Sequence, residues 1–380
     1  MGDVKCVVHI SNDYCGSTVY KSLVGELDRK GVQQIVYSPL RDKNKIGANA
    51  IVLKVVGSKM FFSPILNWHI DRVFFPYKIY KVYKDIQRKI DFDKVGLIHA
   101  HTWYSDGAVA YFLSKKYNLP FILAVRSTDL NVFQKRLVYL RPLGRKIMQA
   151  AKSVVLISES YKSLLWKERS LRKILDGLME KTHVLPNGVD AFWLENSLTK
   201  DLSKKEGRVD LIYVGKFVGL KNLTLVQKAV VRINKSNNAL VHLHIVGGGG
   251  EDEVKVLEMI DKYPGWFTYY GKVHGKEELM RLYRGSDIFV MPSKPETFGL
   301  VYIEAMLQGL PVLYTEGEGV DGFYADTIGE KISNPCLGEI QEKLEIMIHK
   351  YSGYEIPLEA IKRNHDWTLI AEKYIGLYRA

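Results

Sequence analysis

Two glutamates with seven residues between them, Glu296 and Glu304, mark the segment of this chain that is richest in chemical features. Residues 292–306 read as a strand end, a turn with two prolines and a glycine, and a helix that begins near Leu300. Gly299 allows a ligand close to the backbone, and the helix start offers unpaired N–H groups to an anion. Carboxylates beside an anion site accept hydrogen bonds from hydroxyl groups, and this is the role predicted for the pair. The alternative is a capping carboxylate followed by one exposed helical residue.

Two lysines, Lys216 and Lys221, follow a predicted strand at residues 211–214 and lie on either side of Gly219. At this spacing both ammonium groups can reach one diphosphate. Four glycines at residues 247–250 follow the next predicted strand, where a backbone without side chains can admit a nucleotide. Solvated lysines and a flexible surface turn are the alternatives for these two segments.

Two successive β/α series must position these residues. The chain has 380 residues, of which 47% are apolar, and at about 150 residues per domain this length predicts two domains. Strand patterns alternate with helical patterns through both halves, which indicates an α/β fold. We predict a first domain over residues 1–190 and a second over 191–365, with a linker at 196–208. In such sheets ligands bind at the carboxyl ends of the strands, so we expect a cleft between the two domains.

The net charge of +12 belongs to the N-terminal half, because residues 1–190 carry 31 Lys and Arg against 16 Asp and Glu. This asymmetry predicts an anionic partner: a membrane surface, a nucleic acid or a phosphorylated substrate. Ordinary solubility charge is the alternative. Three scattered cysteines exclude a disulfide framework. No apolar run reaches the ~18 residues of a membrane helix, so we expect a cytoplasmic protein, with a peripheral position on the inner membrane face as a variant.

Residues 59–90 interleave aromatic and basic side chains, a composition that suits contact with anionic headgroups. The alternative is a pair of helices with their aromatic residues in the core and their lysines in water. The aromatic members are Phe61, Phe62, Trp68, Phe74, Phe75, Tyr77, Tyr80 and Tyr83, and the basic members are Lys59, Arg72, Lys78, Lys81, Lys84, Arg88 and Lys89.

Five motifs follow one another along the chain: Pro186-Asn187-Gly188-Val189-Asp190, Val214-Gly215-Lys216 with Lys221-Asn222, Ile245-Val246-Gly247-Gly248-Gly249, Gly271-Lys272-Val273, and the Glu296/Glu304 block. In this order they resemble glycosyltransferase family 4. The likeness is dense in the C-terminal half and loose in the N-terminal half. It implies the GT-B fold, in which two Rossmann-like domains face each other across a cleft and a C-terminal helix, here about residues 366–380, crosses back to the first domain. It also implies a retaining reaction without metal or cofactor, with a nucleoside-diphosphate sugar as donor.

The resemblance assigns roles to individual residues. Lys216 and Lys221 would hold the diphosphate. The family usually has Arg at the first position, so Lys216 cannot form the two parallel hydrogen bonds that a guanidinium gives to a phosphate. Glu296 would contact the donor sugar, Glu304 the ribose and Val273 the base. Backbone amides around residues 298–301 would meet the phosphates. The predicted donor-binding set is Gly16, Asn187, Gly247, Val273, Phe298, Gly299, Leu300, Val301 and Glu304.

The N-terminal half departs from the family pattern at Arg126-Ser127, where relatives often carry His-Gly. Arginine cannot act as a base, so Arg126 is expected to steady a phosphate or an anionic acceptor. His101, after the preceding strand, is the histidine candidate near the cleft. The pairs His99/His101 and His242/His244 are not expected to hold a metal, because the sequence places no third ligand nearby.

The sequence therefore predicts a retaining, metal-independent glycosyltransferase that uses a nucleotide-sugar donor. Its expected acceptor is a glycan, in particular a lipid-linked glycan intermediate of surface-polysaccharide synthesis, with an anionic membrane surface as a further partner. Two alternatives stay open: a sugar-nucleotide epimerase of the same fold, and a non-catalytic module that binds nucleotide sugars or membranes. Nucleic acid is not an expected partner, because no base-reading motif is present.

Overall fold

The computed structural model describes residues 5–67, 70–203, 207–236, 240–296 and 298–380. The chain separates into two units by its internal contacts. Unit 1 comprises Met1–Ile157, Tyr161–Gly188 and Trp367–Ala380, and unit 2 comprises Ser158–Ser160 and Val189–Asp366.

Each unit is built on one parallel sheet. The seven strands of unit 1 are β1 Cys6–Ile10, β2 Gln34–Pro39, β3 Lys59–Ser63, β4 Val95–Ala100, β5 Phe121–Val125, β6 Ser153–Leu156 and β7 Thr182–Val184, in the order β3-β2-β1-β4-β5-β6-β7. The six strands of unit 2 are β8 Val209–Gly215, β9 Val241–Gly247, β10 Phe267–Tyr269, β11 Ile288–Val290, β12 Val312–Thr315 and β13 Gly329–Ile332, in the order β10-β9-β8-β11-β12-β13. The central strands are buried along their length, as expected of parallel sheets covered on both faces. Both sheets confirm the predicted α/β architecture of two Rossmann-like domains.

Most of the connections between successive strands contain helices, as parallel strands require. The helices are α1 Thr18–Arg29, α2 Ile70–Val73, α3 Phe75–Lys89, α4 Ser105–Tyr117, α5 Arg141–Ala150, α6 Glu159–Trp166, α7 Leu175–Glu180, α8 Ala191–Glu195, α9 Leu223–Lys235, α10 Glu253–Lys262, α11 Lys276–Gly285, α12 Leu300–Leu307, α13 Leu337–His349, α14 Leu358–His365 and α15 Trp367–Arg379.

The last helix, α15, belongs to the core of unit 1, as predicted. Its buried face carries Trp367, Ile370, Tyr374 and Tyr378, which share one apolar cluster with side chains of the first sheet. Burial of each large apolar side chain contributes roughly 1.5–3 kcal/mol, so this helix is an integral part of the unit. The Pro-Asn-Gly motif requires a glycine at Gly188, because a Cβ at this position would lie 2.7 Å from the indole ring of Trp367.

The structure of residues 59–90 differs in one respect from both predictions for this segment, a membrane contact and a pair of helices. Lys59–Ser63 forms the edge strand β3, paired with β2, so the segment does not consist of helices alone. The pattern Lys-Met-Phe-Phe-Ser is short and bounded by Gly57 and Pro64, which is a strand signal that the aromatic count concealed. Trp68 and the side chain of Arg72 lie outside the described part of the chain. Within the residues described, no helix has the length and apolarity needed to cross a membrane.

Candidate active site

The predicted diphosphate residues of unit 2 lie where the strand order of its sheet reverses. β8 and β11 are neighbours at the centre, and the chain runs outward from them in opposite directions. Lys216 follows β8 directly, Lys221 ends the short turn Gly219–Lys221, and Glu296 lies in the loop after β11. Loops that leave adjacent strands in opposite directions open a crevice at this edge, which is the usual ligand position in such sheets.

Lys221 and Glu296 are brought into direct contact by this arrangement. The Lys221 ammonium forms an ion pair with Glu296 Oε2, and the two side chains are only 23% and 10% exposed. Ser293 donates a hydrogen bond to the same carboxylate oxygen at 2.9 Å, and the backbone N–H of Glu296 donates to Glu318 at 2.7 Å. A charge pair with this little solvent is sensitive to loss of either partner. The carboxylate and the ammonium are therefore held in place before any ligand binds.

The start of α12 is shaped by Gly299. This residue has a φ of 69°, and a Cβ on it would lie 2.6 Å from the ring of Tyr302. No side chain of the described residues caps the helix, whose neighbour Thr297 lies outside them. Phe298 is buried against the rings of Phe323 and His365, so it offers the site only its backbone, whereas Leu300 and Val301 are half-buried. The backbone N–H groups at the start of α12 are therefore not capped by a described side chain, as the predicted anion site requires.

Glu304 has different neighbours from Glu296. Its electrostatic surroundings are Asp190, Lys276 and Tyr283, and Lys216 and Lys221 are not among them. Burial raises the pKa of Glu304 to about 7, the Tyr283 hydroxyl and the Lys276 ammonium oppose that rise, and Asp190 adds to it. The two glutamates are therefore not an acid–base couple around one atom, and each faces its own part of the site.

The glycine turn after β9 packs directly on the loop after β8. The backbone N–H of Phe217 donates to the Gly249 carbonyl at 2.9 Å, and that of Gly247 donates to Gly271 at 2.8 Å. Gly247 has a φ of 133°, and any Cβ on it would clash with the backbone of Gly215. Val273 lies half-buried in the neighbouring loop after β10.

A third lysine, Lys272, joins this turn and was missed as a site residue. The position that a Cβ would take on Gly249 lies 3.8 Å from Lys272 Nζ and 4.0 Å from Lys216 Cε. Lys272 follows β10 and Lys216 follows β8, so only the strand order brings them together. The motif Gly271-Lys272-Val273 contains the residue, but its sequence distance from Lys216 hides the contact.

In unit 1 the predicted residues His101, Arg126 and Asn187 also come together. Arg126 Nε donates to the His101 carbonyl at 3.3 Å, and Nη1 donates to Asn187 Oδ1 at 3.5 Å. The guanidinium lies 5.6 Å from the ring centre of Tyr20 on α1, which favours a cation in this position. The three residues follow β4, β5 and β7, so they share the carboxyl edge of the first sheet.

Two acidic residues support this edge. Asp129 accepts backbone N–H groups of Trp103, Tyr104 and Arg126 at 2.9, 3.1 and 2.9 Å, which ties the loop after β4 to the loop after β5. Burial raises the pKa of Asp129 to about 6 against the effect of these hydrogen bonds. Gly16 lies beside Asp13, whose carboxylate would clash with a Cβ on that glycine. Burial raises the pKa of Asp13, and Lys45 and Arg126 counteract the rise.

The expectation that His99 and His101 have no third histidine nearby is wrong. His9 on β1 pairs in register with His99 on β4, and His9 Nδ1 lies 3.0 Å from His101 Nε2. His99 Nδ1 lies 3.0 Å from the Tyr378 hydroxyl of α15. The three side chains form a buried group whose ligand atoms lie within 4.8 Å of one another, the arrangement that a metal ion would need. Sequence spacing could not find it, because β1 and β4 meet only through the sheet order.

All three histidines are held neutral. Burial lowers the pKa of His9 to about 3 and lowers the pKa values of His99 and His101 well below the ordinary value, with their mutual repulsion and Arg126 adding to the effect for the latter two. A neutral imidazole can exchange hydrogen bonds but brings no positive charge to the site. The predicted absence of a metal stays a prediction.

Comparison with known proteins identifies both halves of the chain. Residues 195–360 match the family model of glycosyl transferases group 1, and residues 16–191 match that of Glycosyltransferase Family 4. The chain is 30% identical over 172 residues to the sulfoquinovosyl transferase SQD2 of Arabidopsis thaliana, which covers 43% of this chain and 32% of that protein. It spans only 32% to 59% of the length of three of the curated relatives that it matches.

Solved structures share the fold over almost the whole chain. The sucrose-phosphate synthase of Thermosynechococcus elongatus superposes with a TM-score of 0.70 at 17% identity, over 99% of this chain and 98% of that one. The Anabaena protein HepE in complex with UDP-glucose superposes with a TM-score of 0.65 at 18% identity, over 98% of both chains. Together with the family models, these similarities show that the chain has the GT-B fold and belongs to glycosyltransferase family 4.

Proposed function

We propose that this chain transfers a sugar from a nucleoside-diphosphate sugar to an acceptor hydroxyl, with retention of configuration and without a metal ion. The ion pair between Lys221 and Glu296 carries the proposal, because it places an ammonium and a carboxylate at the reversal point of the second sheet. Lys216 and Lys272 add positive charge beside Gly249 in the glycine turn, and the start of α12 adds positive potential. A diphosphate joined to a hydroxyl-bearing sugar has the charges and donors that complement this arrangement. The UDP-glucose bound to the Anabaena protein supports the same class of donor.

The reaction would proceed by charge stabilisation and positioning. The bond between the anomeric carbon and the β-phosphate oxygen breaks, and the acceptor oxygen bonds to that carbon on the same face. The acceptor proton passes to the departing β-phosphate, so no protein base is needed. Lys216, Lys221 and Lys272 offset the negative charge that develops on the leaving diphosphate. Glu296 would hold the sugar hydroxyls.

The remaining donor contacts follow from the positions of the other loops. Glu304 would accept from the ribose hydroxyls, Val273 would lie against the base, and the backbone of residues 298–301 would bind phosphate oxygens. Gly247 supports this arrangement because it keeps the glycine turn pressed against Gly215.

The acceptor would be bound by unit 1. Arg126, His101 and Asn187 share one edge of the first sheet, and Arg126 is the one cation among them, since burial keeps His101 neutral. These groups suit an anionic acceptor, and the surplus of Lys and Arg in residues 1–190 suits an anionic membrane surface. We therefore propose a lipid-linked glycan intermediate of surface-polysaccharide synthesis as acceptor, met at the inner membrane face.

A panel of nucleoside diphosphates and their sugars, screened by thermal shift, tests the donor assignment. We expect stabilisation by one nucleotide series, unchanged by EDTA, and an α-linked product from an α-linked donor by NMR. Inversion of the anomeric configuration would refute the retaining reaction. Epimerised sugar formed from the donor alone would replace the proposal with an epimerase, and binding without turnover on lipid-linked acceptors would replace it with a binding module.

A further inference from the structure

The helices α3, α4 and α5 form one face of unit 1 that the proposed reaction does not use. α4 packs between α3 and α5, and the three enclose an apolar groove of about 360 Å³. The groove is lined by Phe75, Pro76, Ile79, Tyr80, Tyr83, Phe112 and Leu143. None of these side chains ionises near neutral pH, so the groove cannot bind a phosphate or a sugar by charge or by a dense set of hydrogen bonds.

The groove has a buried floor and exposed walls. Phe75 and Ile79 are each 4% exposed, whereas Tyr80 is 57% and Phe112 is 42% exposed. Val73 and Phe74, which precede α3, are 68% and 60% exposed and extend the apolar surface. Apolar patches of this kind on a folded protein mark contacts with apolar partners, because they have no favourable interaction with water.

The charges around the groove have one sign. The helices α3, α4 and α5 carry ten Lys and Arg against two Asp. Both carboxylates are unavailable at the surface, because Asp106 is 1% exposed and Asp85 pairs with Lys89 at 3.2 Å. Of the basic residues, Lys78 is buried and Lys81 pairs with Asp71 of α2 at 2.8 Å, and the others form, with the aromatic rings, the surface of these helices.

Two of the lysines lie over aromatic rings of α3 and α4. Lys84 Nζ lies 5.7 Å from the ring centre of Tyr80, which is a wall of the groove. Lys115 Nζ lies 6.0 Å from the ring centre of Tyr111 on α4. These contacts hold the ammonium groups at the level of the ring faces, with their alkyl stems on the apolar surface.

We propose that this groove takes one hydrocarbon chain of an anionic bilayer lipid, while the rim lysines bind its headgroup. An apolar interior below a cationic rim matches a lipid, which has an apolar chain below an anionic headgroup. The two features occur within one helix turn of each other on α3, so one molecule can satisfy both. The inference rests on the proposed membrane partner and identifies the surface and the lipid part that make the contact.

Flotation with vesicles of phosphatidylcholine, with and without phosphatidylglycerol, tests the inference on the full chain. Wild-type protein is expected to float with the anionic vesicles only. Leu143→Trp fills the groove while keeping it apolar, and Tyr80→Ser with Phe112→Ser removes its walls. Because burial of an aromatic or aliphatic side chain is worth about one power of ten in affinity, each change should weaken binding roughly tenfold or more.

Tyr77→Ser is the matched control, since Tyr77 is on the same helix and 50% exposed but does not line the groove. It should bind vesicles almost as wild type does. A direct readout comes from Phe112→Trp, whose fluorescence should be quenched by lipids with brominated chains far more than that of Tyr77→Trp. Thermal shift by nucleoside diphosphate should be unchanged in all variants, which shows that they are folded.

Three results would overturn the inference: equal binding to neutral and anionic vesicles, wild-type binding by Leu143→Trp and the double variant, or an equal loss in Tyr77→Ser. Self-association through this face without vesicle binding would also overturn it in favour of a second copy. If vesicle binding fails while sugar transfer to a lipid-linked acceptor persists in detergent, the groove inference falls alone. If vesicles bind but no donor is turned over, the proposed reaction falls alone.

Discussion

Replacement of Glu296 by Gln tests the separation of roles between Glu296 and the lysines. Glutamine has the shape of glutamate, and its carbonyl can still accept the hydrogen bond that Ser293 donates at 2.9 Å. The backbone hydrogen bond to Glu318 is also unaffected, so the loop should keep its conformation. What is lost is the negative charge opposite Lys221 and on the proposed sugar hydroxyls.

Glu296→Gln should slow transfer without weakening nucleotide binding. A hydrogen bond to a charged group contributes about 1.5–3 kcal/mol, which corresponds to a roughly 10- to 150-fold fall in kcat/KM. Lys221, freed from its ion pair, becomes more available to the diphosphate. Because the Lys221 side chain is 23% exposed, solvent offsets part of the lost pairing, and nucleotide affinity should stay the same or rise by up to roughly fivefold, which corresponds to about 1 kcal/mol.

Calorimetric titration with nucleoside diphosphate and initial-rate kinetics with the complete donor measure the two effects separately. Glu316→Gln is the matched control, because Glu316 is an exposed glutamate that directly follows β12. A Glu296→Gln protein that lost nucleotide affinity and kept its transfer rate would refute the reasoning, since Glu296 would then be part of the nucleotide site.

The loops and the buried groups lead to three more expectations. Lys272→Met should weaken nucleoside-diphosphate binding about three- to tenfold by calorimetry, as loss of one charge-assisted contact requires, whereas the exposed Lys228→Met should not; equal affinities would remove Lys272 from the site. Burial raises the pKa of Glu304 to about 7, so folding favours its protonated form. The contribution of Glu304 to the free energy of unfolding is therefore complete below the unfolded pKa of about 4.5 and is lost as the pH rises through 7, a change of roughly 3 kcal/mol. Glu304→Gln should therefore raise the melting temperature more at pH 8 than at pH 5, and a pH-independent difference would contradict the burial argument. His101 is neutral throughout the physiological range, so the pH profile of kcat between 6 and 8 should keep its shape in His101→Asn even if its height falls; a limb that disappears in this variant would show that the imidazole titrates.

The local features of the proposed donor site were predictable from the sequence. Residues 292–306 predicted a turn and a helix start at Leu300, and α12 begins there, because Gly299 and the apolar run after it are local signals. The two β/α series were predictable for the same reason, since parallel strands and their helices leave strong patterns of apolar residues. The last helix was placed in unit 1 only through the family resemblance, because its apolar face does not say which sheet covers it.

The strand order of the folded chain determines which loops meet. Lys272 and Lys216 are 56 positions apart and adjoin only because β9 connects the strands that carry them, β10 and β8. His9 reaches His99 and His101 only because β1 and β4 are neighbours in the first sheet. Strand order is a long-range property, and no spacing along the chain encodes it directly.

The burial of individual side chains could not be predicted from the sequence either. Glu296 and Glu304 are the same residue type, yet Glu296 forms an ion pair with Lys221, whereas burial raises the pKa of Glu304. The aromatic residues of α3 could be read as core or as interface, and the packing of α4 and α5 divides them into a buried floor and exposed walls. The sequence determines which chemical groups are present, and the tertiary structure determines their solvent, their partners and hence their charge, because desolvation depends on atoms contributed by distant segments.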